Sequence, residues 1–321
     1  MIAIRQCSLA CLRFTAKISV LCAASLCVLA SAAPITVLVS DDGAANTAAA
    51  RSFKETIEHL NARAQEVTIV TLEAANAANG AVLRDSTLVV SVGSAAARAA
   101  FANAGTYALL SIVIPKQVFQ ELQGQAGNGP RAHASAIYLD QPLGRQLNLI
   151  QAAFPGRRRA AVVLGSSWSS RALLTDLRGE AAQRGITIVS QVLGDGDGLF
   201  PALQKVLPES DLLLAVPDRT VLTPASARSV LVSAYRYQVP VVAFSENYVK
   251  AGAIIAVYST PEQIGRQAAE MAAAFQDAGT LPTPHYPKYF SVAVNYQVAR
   301  SLGMSLADEQ TLHSQLAGMR E

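Results

Sequence analysis

Short apolar runs alternate with segments of helical spacing along most of the chain. Ile35–Val39 is continuously apolar, as expected of a strand buried on both faces of a parallel sheet. In Thr47–Asn61, apolar residues recur on one side of a helix. The same order continues as two successive series of strands and helices, each too short to close into a barrel. The pattern therefore predicts an α/β fold with two doubly wound parallel-sheet lobes.

The further strands that this pattern predicts are short, mostly apolar and bounded by polar residues or glycine. They are Val67–Leu72, Thr87–Val92, Tyr107–Ile114, His133–Leu139, Arg159–Gly165, Thr187–Leu193, Asp211–Val216, Val239–Phe244 and Ala253–Tyr258. Helices are predicted between them, among them Ser170–Arg184, which Gly185 closes, and Glu262–Ala278.

Polar residues at the strand ends are the candidates for ligand contacts, because open parallel sheets bind ligands beyond the carboxyl ends of their strands. In the first series these candidates are Ser40, Asp41, Gly93, Ser94 and Ser111. In the second series they are Ser167, Trp168, Ser169, Asp218, Arg219, Ser245, Glu246 and Tyr248. If the two lobes face each other, both groups line one cleft.

Two places in the first series have two interpretations each. Gly93-Ser94 opens a helix whose free N–H groups could hold a carboxylate or phosphate, or Ser94 is only a helix cap. Asp41 and Asp42 could attract a cationic group, or they form a solvated turn before Gly43.

The second series also leaves alternatives open. Trp168, the only tryptophan, could stack on a flat ligand, or it belongs to the core or the rim. Arg219 beside Asp218 could pair with a ligand carboxylate or phosphate, or it joins an exposed ion pair. Tyr248 could form a wall of the site or pack its own loop onto the helix beneath. A hydrolase that uses Ser166 or Ser167 is disfavoured, because G-x-S-x-G spacing is absent and no histidine is near in sequence.

The N-terminal segment has the composition of an export signal. Three basic residues precede an apolar region of 12 residues, Ile18–Leu29, and Ala30-Ser31-Ala32 suits a signal peptidase. Twelve apolar residues are few for a bilayer span, which disfavours an uncleaved anchor. We therefore predict a cleaved signal peptide over residues 1–32 and a periplasmic protein that starts at Ala33.

Charge and cysteine content disfavour several classes of protein. All four cysteines lie within residues 1–32, so the exported chain has no disulfide and no thiolate. Removing that segment takes away three of the 26 basic residues and none of the 23 acidic ones, which leaves a net charge of zero. The four histidines lack metal-pair spacing, and phosphate-loop and dinucleotide motifs are missing. We expect no metal, no cofactor, no nucleic-acid partner and no enzymatic activity.

The segment Tyr235–Glu270 contains an ordered set of motifs, YRYQVPVVAFSENYVKAGAIIAVYSTPEQIGRQAAE. A strand ends in the acidic tip Ser245–Tyr248, and V-K-x-G-A, a second strand and G-x-x-A-A-E follow. This order resembles the second lobe and hinge return of type 1 periplasmic binding proteins. Within them it is similar to substrate-binding proteins of ABC transporters for aromatic amino acids and related small solutes. The resemblance extends over nearly the whole exported chain and is strongest from Leu143 to Leu306.

The resemblance implies two lobes that close around hinge segments. Lobe 1 is expected to comprise residues 33–138 plus 257–281, and lobe 2 residues 139–256 plus 282–321. The expected crossings are Tyr138–Gln141, Val257–Ser259 and Leu281–Pro284. Tyr138, Asp140 and Tyr258 are the expected hinge residues.

The resemblance also implies the role of two acids. In the family, an acid at the position of Asp218 can meet a ligand ammonium, and Glu246 matches an acid at a ligand-facing tip. Arg219 departs from the family's usual Asn. With Trp168 and Tyr248, it suggests an amino acid-like or planar acidic solute. A monomer would deliver this solute to ABC permease subunits; the alternative is a ligand sensor for a receptor kinase or an outer-membrane transport system.

Overall fold

The computed structural model describes residues 34–60, 66–127, 129, 133–194, 196–218 and 221–320. All of the described residues belong to one compact unit. The expected signal peptide and Arg219 lie outside the described residues. Within these ranges, none of the helices is long and apolar enough to cross a membrane.

The first sheet is parallel throughout, with the order β2-β1-β3-β4-β5 among the described residues. Its elements are β1 Ile35–Val39, α1 Ala44–Leu60, β2 Val67–Thr71, α2 Leu72–Ala77, α3 Ala81–Arg84, β3 Leu88–Val92, α4 Ser94–Ala102, β4 Ala108–Ile114, α5 Lys116–Ala126 and β5 Ser135–Tyr138. All five residues of β1 are buried, because apolar clusters cover both faces of the sheet. This sheet and its helices form lobe 1.

The second sheet has the order β11-β10-β9-β8-β6-β7 in the described chain and is parallel except for the β10–β11 pair. The elements of this half of the chain are α6 Leu143–Ala153, β6 Arg159–Gly165, α7 Trp168–Gln183, β7 Thr187–Leu193, α8 Leu199–Val206, β8 Leu212–Leu214, α9 Pro224–Arg236, β9 Val241–Ala243, α10 Glu246–Ala251, β10 Ile255–Tyr258, α11 Pro261–Ala278, β11 Ser291–Val294, α12 Tyr296–Ser301 and α13 Glu309–Ala317. Apart from α11, they form lobe 2. The two lobes agree with the predicted fold class.

Helix α11 follows a strand of lobe 2 but packs on α1 of lobe 1. Thr260 and Gln263 open it with a capping box, in which each side chain accepts the other's backbone N–H. Ile264 is fully buried in the core of lobe 1. Gly265 brings the two helices into backbone contact, since a Cβ there would lie 2.2 Å from the Ala49 carbonyl oxygen. The helix therefore adds a layer to lobe 1 from a distant part of the chain.

Strand pairing locates the points where the chain passes between the lobes. Tyr258 still pairs with Ser291 in the second sheet, so the second crossing begins after Tyr258. His285 then forms a parallel bridge with Ile137 at the edge of the first sheet. The third crossing lies between His285 and Ser291, which corrects the expected Leu281–Pro284. That proline-rich stretch stays on lobe 1 because the bridge at His285 follows it.

Gly265→Ala should destabilise the protein by about 1–3 kcal/mol, because the new methyl group would meet backbone atoms of α1. Urea and thermal unfolding would measure the loss. Gly179 in α7 is the matched control, since a Cβ there meets nothing within 4 Å. Gly179→Ala should stabilise by about 0.5–1 kcal/mol. Equal stability of Gly265→Ala and the wild type would contradict the close approach of the helices.

Candidate functional site

A cavity of about 180 Å³ lies where the two lobes and the first two crossings meet. Its lining is Pro115, Leu139, Asp140, Gln141, Pro217, Phe244, Ser245, Tyr258 and Ser259. Rings and aliphatic side chains form most of the wall, and a few polar groups converge on it, as is typical of small-molecule sites. Two larger grooves, of about 350 and 420 Å³, are lined by lobe 1 alone. The smaller cavity is the candidate site because both lobes contribute to it.

Buried hydrogen bonds tie the crossings together beside this cavity. Gln141 Nε2 donates to Ser259 Oγ at 2.9 Å, and Ser259 Oγ donates to the Tyr289 carbonyl at 2.6 Å. Arg145 Nη1 donates to Gln141 Oε1 at 2.6 Å and to the Pro287 carbonyl at 3.0 Å. One chain of hydrogen bonds thus includes a residue from each crossing. The sequence analysis did not predict a role for Arg145. Its spacing of four residues from Gln141 is the feature of the sequence that could have indicated this contact.

Asp140 closes the N-terminus of α5 and also lines the cavity. Its Oδ2 accepts the Lys116 N–H at 2.6 Å. Burial raises the pKa of the Asp140 carboxyl above its usual 3.8, although backbone hydrogen bonds and the charge of Lys116 oppose the shift. Among the described residues that line the cavity, Asp140 has the one carboxyl group. A hydrogen-bond donor of a bound ligand could therefore bond to Asp140.

The two expected hinge tyrosines have different surroundings. Tyr138 is buried, and its ring lies edge-on to Phe119 and Tyr286 at centroid distances of 6.1 and 5.4 Å. It packs within lobe 1. Tyr258 is half-buried and lines the cavity, and burial, with a smaller contribution from the charge of Glu246, raises the pKa of its hydroxyl. The Tyr258 hydroxyl therefore stays protonated near neutral pH.

The polar tip after β9 is the first turn of α10. Ser245 Oγ accepts the Tyr248 N–H at 3.3 Å as a helix cap, and Glu246 pairs with Lys250 at 2.8 Å. The Tyr248 ring packs on Phe244 at 5.0 Å, and its hydroxyl is buried without a hydrogen-bond partner among the described residues. The packing interpretation of Tyr248 therefore fits the structure. Ser245 and Phe244 face the cavity.

Asp218 connects the polar loops of lobe 2. Its Oδ2 accepts the Gly165 N–H at 2.9 Å and the Ser170 hydroxyl at 2.8 Å, and its Oδ1 accepts the Val221 N–H at 3.2 Å. Ser167 caps α7, with Oγ accepting the Ser170 N–H at 3.0 Å. Asp218 is itself buried, so in this state it holds the ends of β6, α7 and β8 together.

Trp168 begins α7 and is 84% exposed. This exposure excludes the core interpretation and leaves the rim and the stacking interpretations. The neighbouring Ser169 hydroxyl lies 2.9 Å from Ser167 Oγ, so both serines belong to the cap of α7. The indole ring is thus presented to solvent at the carboxyl end of β6.

Two of the candidates after β1 and β3, Ser40 and Gly93, are needed for the local backbone structure. Ser40 Oγ accepts the Ala96 N–H at 2.8 Å and donates to the Val92 carbonyl at 2.9 Å, so it satisfies a free donor of α4. Gly93 has a φ of 88°, and a Cβ there would lie 2.6 Å from Ser40 Oγ. Ser94 is the first residue of α4, and Gly93 occupies the N-cap position in its place.

The last two candidates of lobe 1 have clear surroundings. Asp41 Oδ1 accepts from the Gly43 N–H at 2.8 Å and from Asn46 Nδ2 at 3.0 Å, as in a solvated turn. Ser111 is fully buried in β4, where the hydroxyl of Ser91 donates to it at 2.9 Å. The prediction for Ser111 is wrong, because it lies in the middle of the strand and faces β3.

A strained residue precedes the cavity in β4. Val113 has a φ of 54°, which is rare for a β-branched side chain. The register with β5 shifts between Ile112 and Ile114, so Val113 sits in a β-bulge. Pro115, two residues further, lines the cavity. Sequence reasoning missed this bulge because no local residue type demands it.

Of the predicted residues, Asp140, Ser245 and Tyr258 line the cavity, whereas Trp168, Asp218 and Glu246 do not. The lining residues outside the predicted site set are Pro115, Leu139, Gln141, Pro217, Phe244 and Ser259. They are mostly apolar, so polarity at strand ends does not identify them. Their position after β4, β5, β8 and β9, at the carboxyl ends of strands, could have identified the apolar residues of the lining from the sequence.

Asp218→Ala should destabilise the protein by about 2–4 kcal/mol, because buried donors would lose their acceptor. Asp176→Ala, on the exposed side of α7, is the control for the loss of one carboxylate. Thermal unfolding of both variants measures the difference. If both variants lost stability equally, Asp218 would have no organising role.

Asp140→Asn should stabilise the protein near neutral pH. Because the folded state raises the pKa of Asp140, its protonated form contributes stability below about 3.8, and this contribution is lost as pH rises through the folded pKa. The amide keeps an acceptor for the Lys116 N–H and carries no charge. The stability difference between variant and wild type should therefore shrink as pH falls towards 3.8.

Melting temperatures across a pH series test this, with Asp176→Asn as the control for charge. A difference between Asp140→Asn and the wild type that did not change with pH would contradict the raised pKa of Asp140.

The comparisons with known proteins agree with this architecture. The family model of the ABC transporter substrate binding protein matches residues 73–312. An open, ligand-free substrate-binding protein with adhesive properties from Clostridium difficile has a TM-score of 0.70 at 16% identity, covering 87% of this chain and 97% of that one. No curated protein sequence matches the chain.

Two further solved structures share the fold. An ABC domain in complex with L-Trp from Streptococcus pneumoniae has a TM-score of 0.60 at 15% identity, covering 89% of this chain and 98% of that one. A conserved domain protein from Vibrio cholerae has a TM-score of 0.58 at 20% identity, with the same coverage of 89% and 98%. With the fold and the family match together, the chain belongs to the ABC transporter substrate-binding proteins, which bind small solutes and deliver them to membrane permeases.

Proposed function

We propose that this protein captures one small solute in the cavity between its lobes and closes on it for delivery to an ABC permease. The observation that carries the proposal is the cavity itself, to which both lobes and two crossings contribute walls. A ligand that touches both lobes binds the closed state better than the open one, and this difference drives closure. The family match favours a permease over a sensor kinase or an outer-membrane receptor as the recipient.

The proposed solute is amino acid-like or planar, with an apolar ring or chain and a polar end. Phe244, Tyr258 and Leu139 offer the apolar contacts. Asp140 offers an acceptor to an ammonium or hydroxyl group, as an amino acid would supply. The L-Trp complex of the pneumococcal protein supports this solute class. An acidic group on the solute is proposed from Arg219, which follows the lining loop at Pro217.

We further propose that the protein acts as a monomer in the periplasm. The family consists of exported binding proteins, and the N-terminal residues have the pattern of a signal peptide. One chain supplies both lobes of the cavity, which supports the proposal that a monomer is sufficient for solute capture.

Native mass spectrometry of the protein purified gently from the periplasm is the direct test. A retained small molecule would identify the solute, and thermal shifts against amino acids, nucleobases and small carboxylates would confirm it by linkage. Absence of any bound molecule, with no shift across the panel, would overturn solute capture as proposed.

Trp168 should report closure, because it is the only tryptophan and is 84% exposed in this structure. Addition of the solute should shift its emission to shorter wavelength and protect it from acrylamide, as lobe 1 covers the indole on closure. Unchanged emission with a solute that raises the melting temperature would place Trp168 outside the closing cleft.

Phe244→Ala should weaken solute binding by about 1–3 kcal/mol, since the ring is part of the cavity wall. Titration calorimetry would measure the change. Tyr296→Ala, at an exposed position on α12, is the control and should leave affinity unchanged. Equal affinities of the Phe244 variant and the wild type would remove this cavity as the binding site.

A further inference from the structure

Helices α8 and α9 lie side by side on one side of the second sheet and share an apolar interior. Leu203, Val206 and Val230 point into that interior and are buried. On the outside, Phe200, Val232 and Tyr235 remain 50%, 45% and 47% exposed. Exposed apolar side chains on two neighbouring helices make the outside of α8 and α9 a candidate for binding.

The charged side chains of these two helices are all basic. Lys205, Arg228 and Arg236 are exposed on these helices, and neither helix contains an acidic residue. None of the three forms a salt bridge or side-chain hydrogen bond with another described residue. Since the exported chain has equal numbers of acids and bases, the positive charge is a local property of this surface.

We propose that this basic–aromatic face binds the surface of an anionic phospholipid membrane. Its residues are Phe200, Lys205, Arg228, Val232, Tyr235 and Arg236. Basic side chains attract the lipid phosphates, and aromatic side chains suit the headgroup region, where one end of the ring is apolar and the other is wet. A second copy of the chain would bring like charges together, so charge complementarity disfavours self-association through this face.

The face is separate from the solute cavity, since the six residues contribute nothing to its lining. Membrane binding therefore leaves the cavity free, and it goes beyond the proposed solute capture. Membrane binding would keep the protein at the membrane surface, close to the permeases. The attraction should fall as salt rises, because exposed charges are screened over about 8–10 Å at physiological ionic strength.

Flotation of the exported protein with vesicles tests the proposal. Vesicles of phosphatidylcholine mixed with phosphatidylglycerol should retain the protein, and vesicles of phosphatidylcholine alone should not. The double variant Arg228→Ser, Arg236→Ser should bind the anionic vesicles at least about tenfold more weakly, given about 1 kcal/mol per basic residue. Val232→Ser with Tyr235→Ser should also weaken binding, and added salt should release the wild type.

Matched variants on other surfaces distinguish binding through the basic–aromatic face from a general effect of the protein's charge. Arg51→Ser with Arg98→Ser removes two exposed positive charges from lobe 1, and Tyr296→Ser removes an exposed aromatic side chain from α12. Both controls should bind the vesicles like the wild type. Failure of the wild type to bind anionic vesicles, or an equal loss in the controls, would overturn the proposal. Selective binding of an acidic protein without vesicle binding would overturn it as well.

Discussion

Ser259 occupies the position on which the two-lobed arrangement depends. Its hydroxyl accepts a hydrogen bond from Gln141 on the first crossing and donates one to the Tyr289 carbonyl on the third. Arg145 extends this chain of bonds, and its guanidinium lies 4.3 Å from the centre of the Phe290 ring. Because these groups are buried, breaking any bond leaves a donor or acceptor unsatisfied. These hydrogen bonds therefore hold the three crossings together at the junction of the two lobes.

The cavity beside the crossings shows how few polar groups are left for recognition. At the strand ends, Asp218, Ser40 and Ser245 already hold helix termini and loops. Their hydrogen bonds go first to backbone donors, because unpaired backbone groups near the cavity would be costly. The wall of the cavity is therefore mainly rings and aliphatic side chains, with Asp140, Gln141 and a small number of hydroxyl groups as its polar side chains.

Much of the architecture was predictable from local patterns. Strands β1, β6 and β7 have the predicted bounds. Continuous apolar runs such as β1 are typical of strands buried in parallel sheets. The candidate site was less predictable. Ser111 appeared to be a strand-end residue but lies within β4, and the tip at Ser245 is the start of a helix. The predicted end of β4 at Ile114 is correct, so the missing information was the surroundings of each side chain: Ser111 bonds to Ser91 of β3, and Ser245 caps α10.

The amino-acid sequence by itself determined the alternation of strands and helices, the two-lobed α/β class, the export signal pattern and the family motifs. These depend on periodicity and local residue chemistry, which act over a few positions. The tertiary structure decided which polar groups are already satisfied, where the third crossing lies and which apolar residues line the cavity. Those outcomes depend on contacts such as Gly265 with Ala49, or Gln141 with Ser259, between residues more than a hundred positions apart in the chain. No local pattern contains the geometry of such a contact.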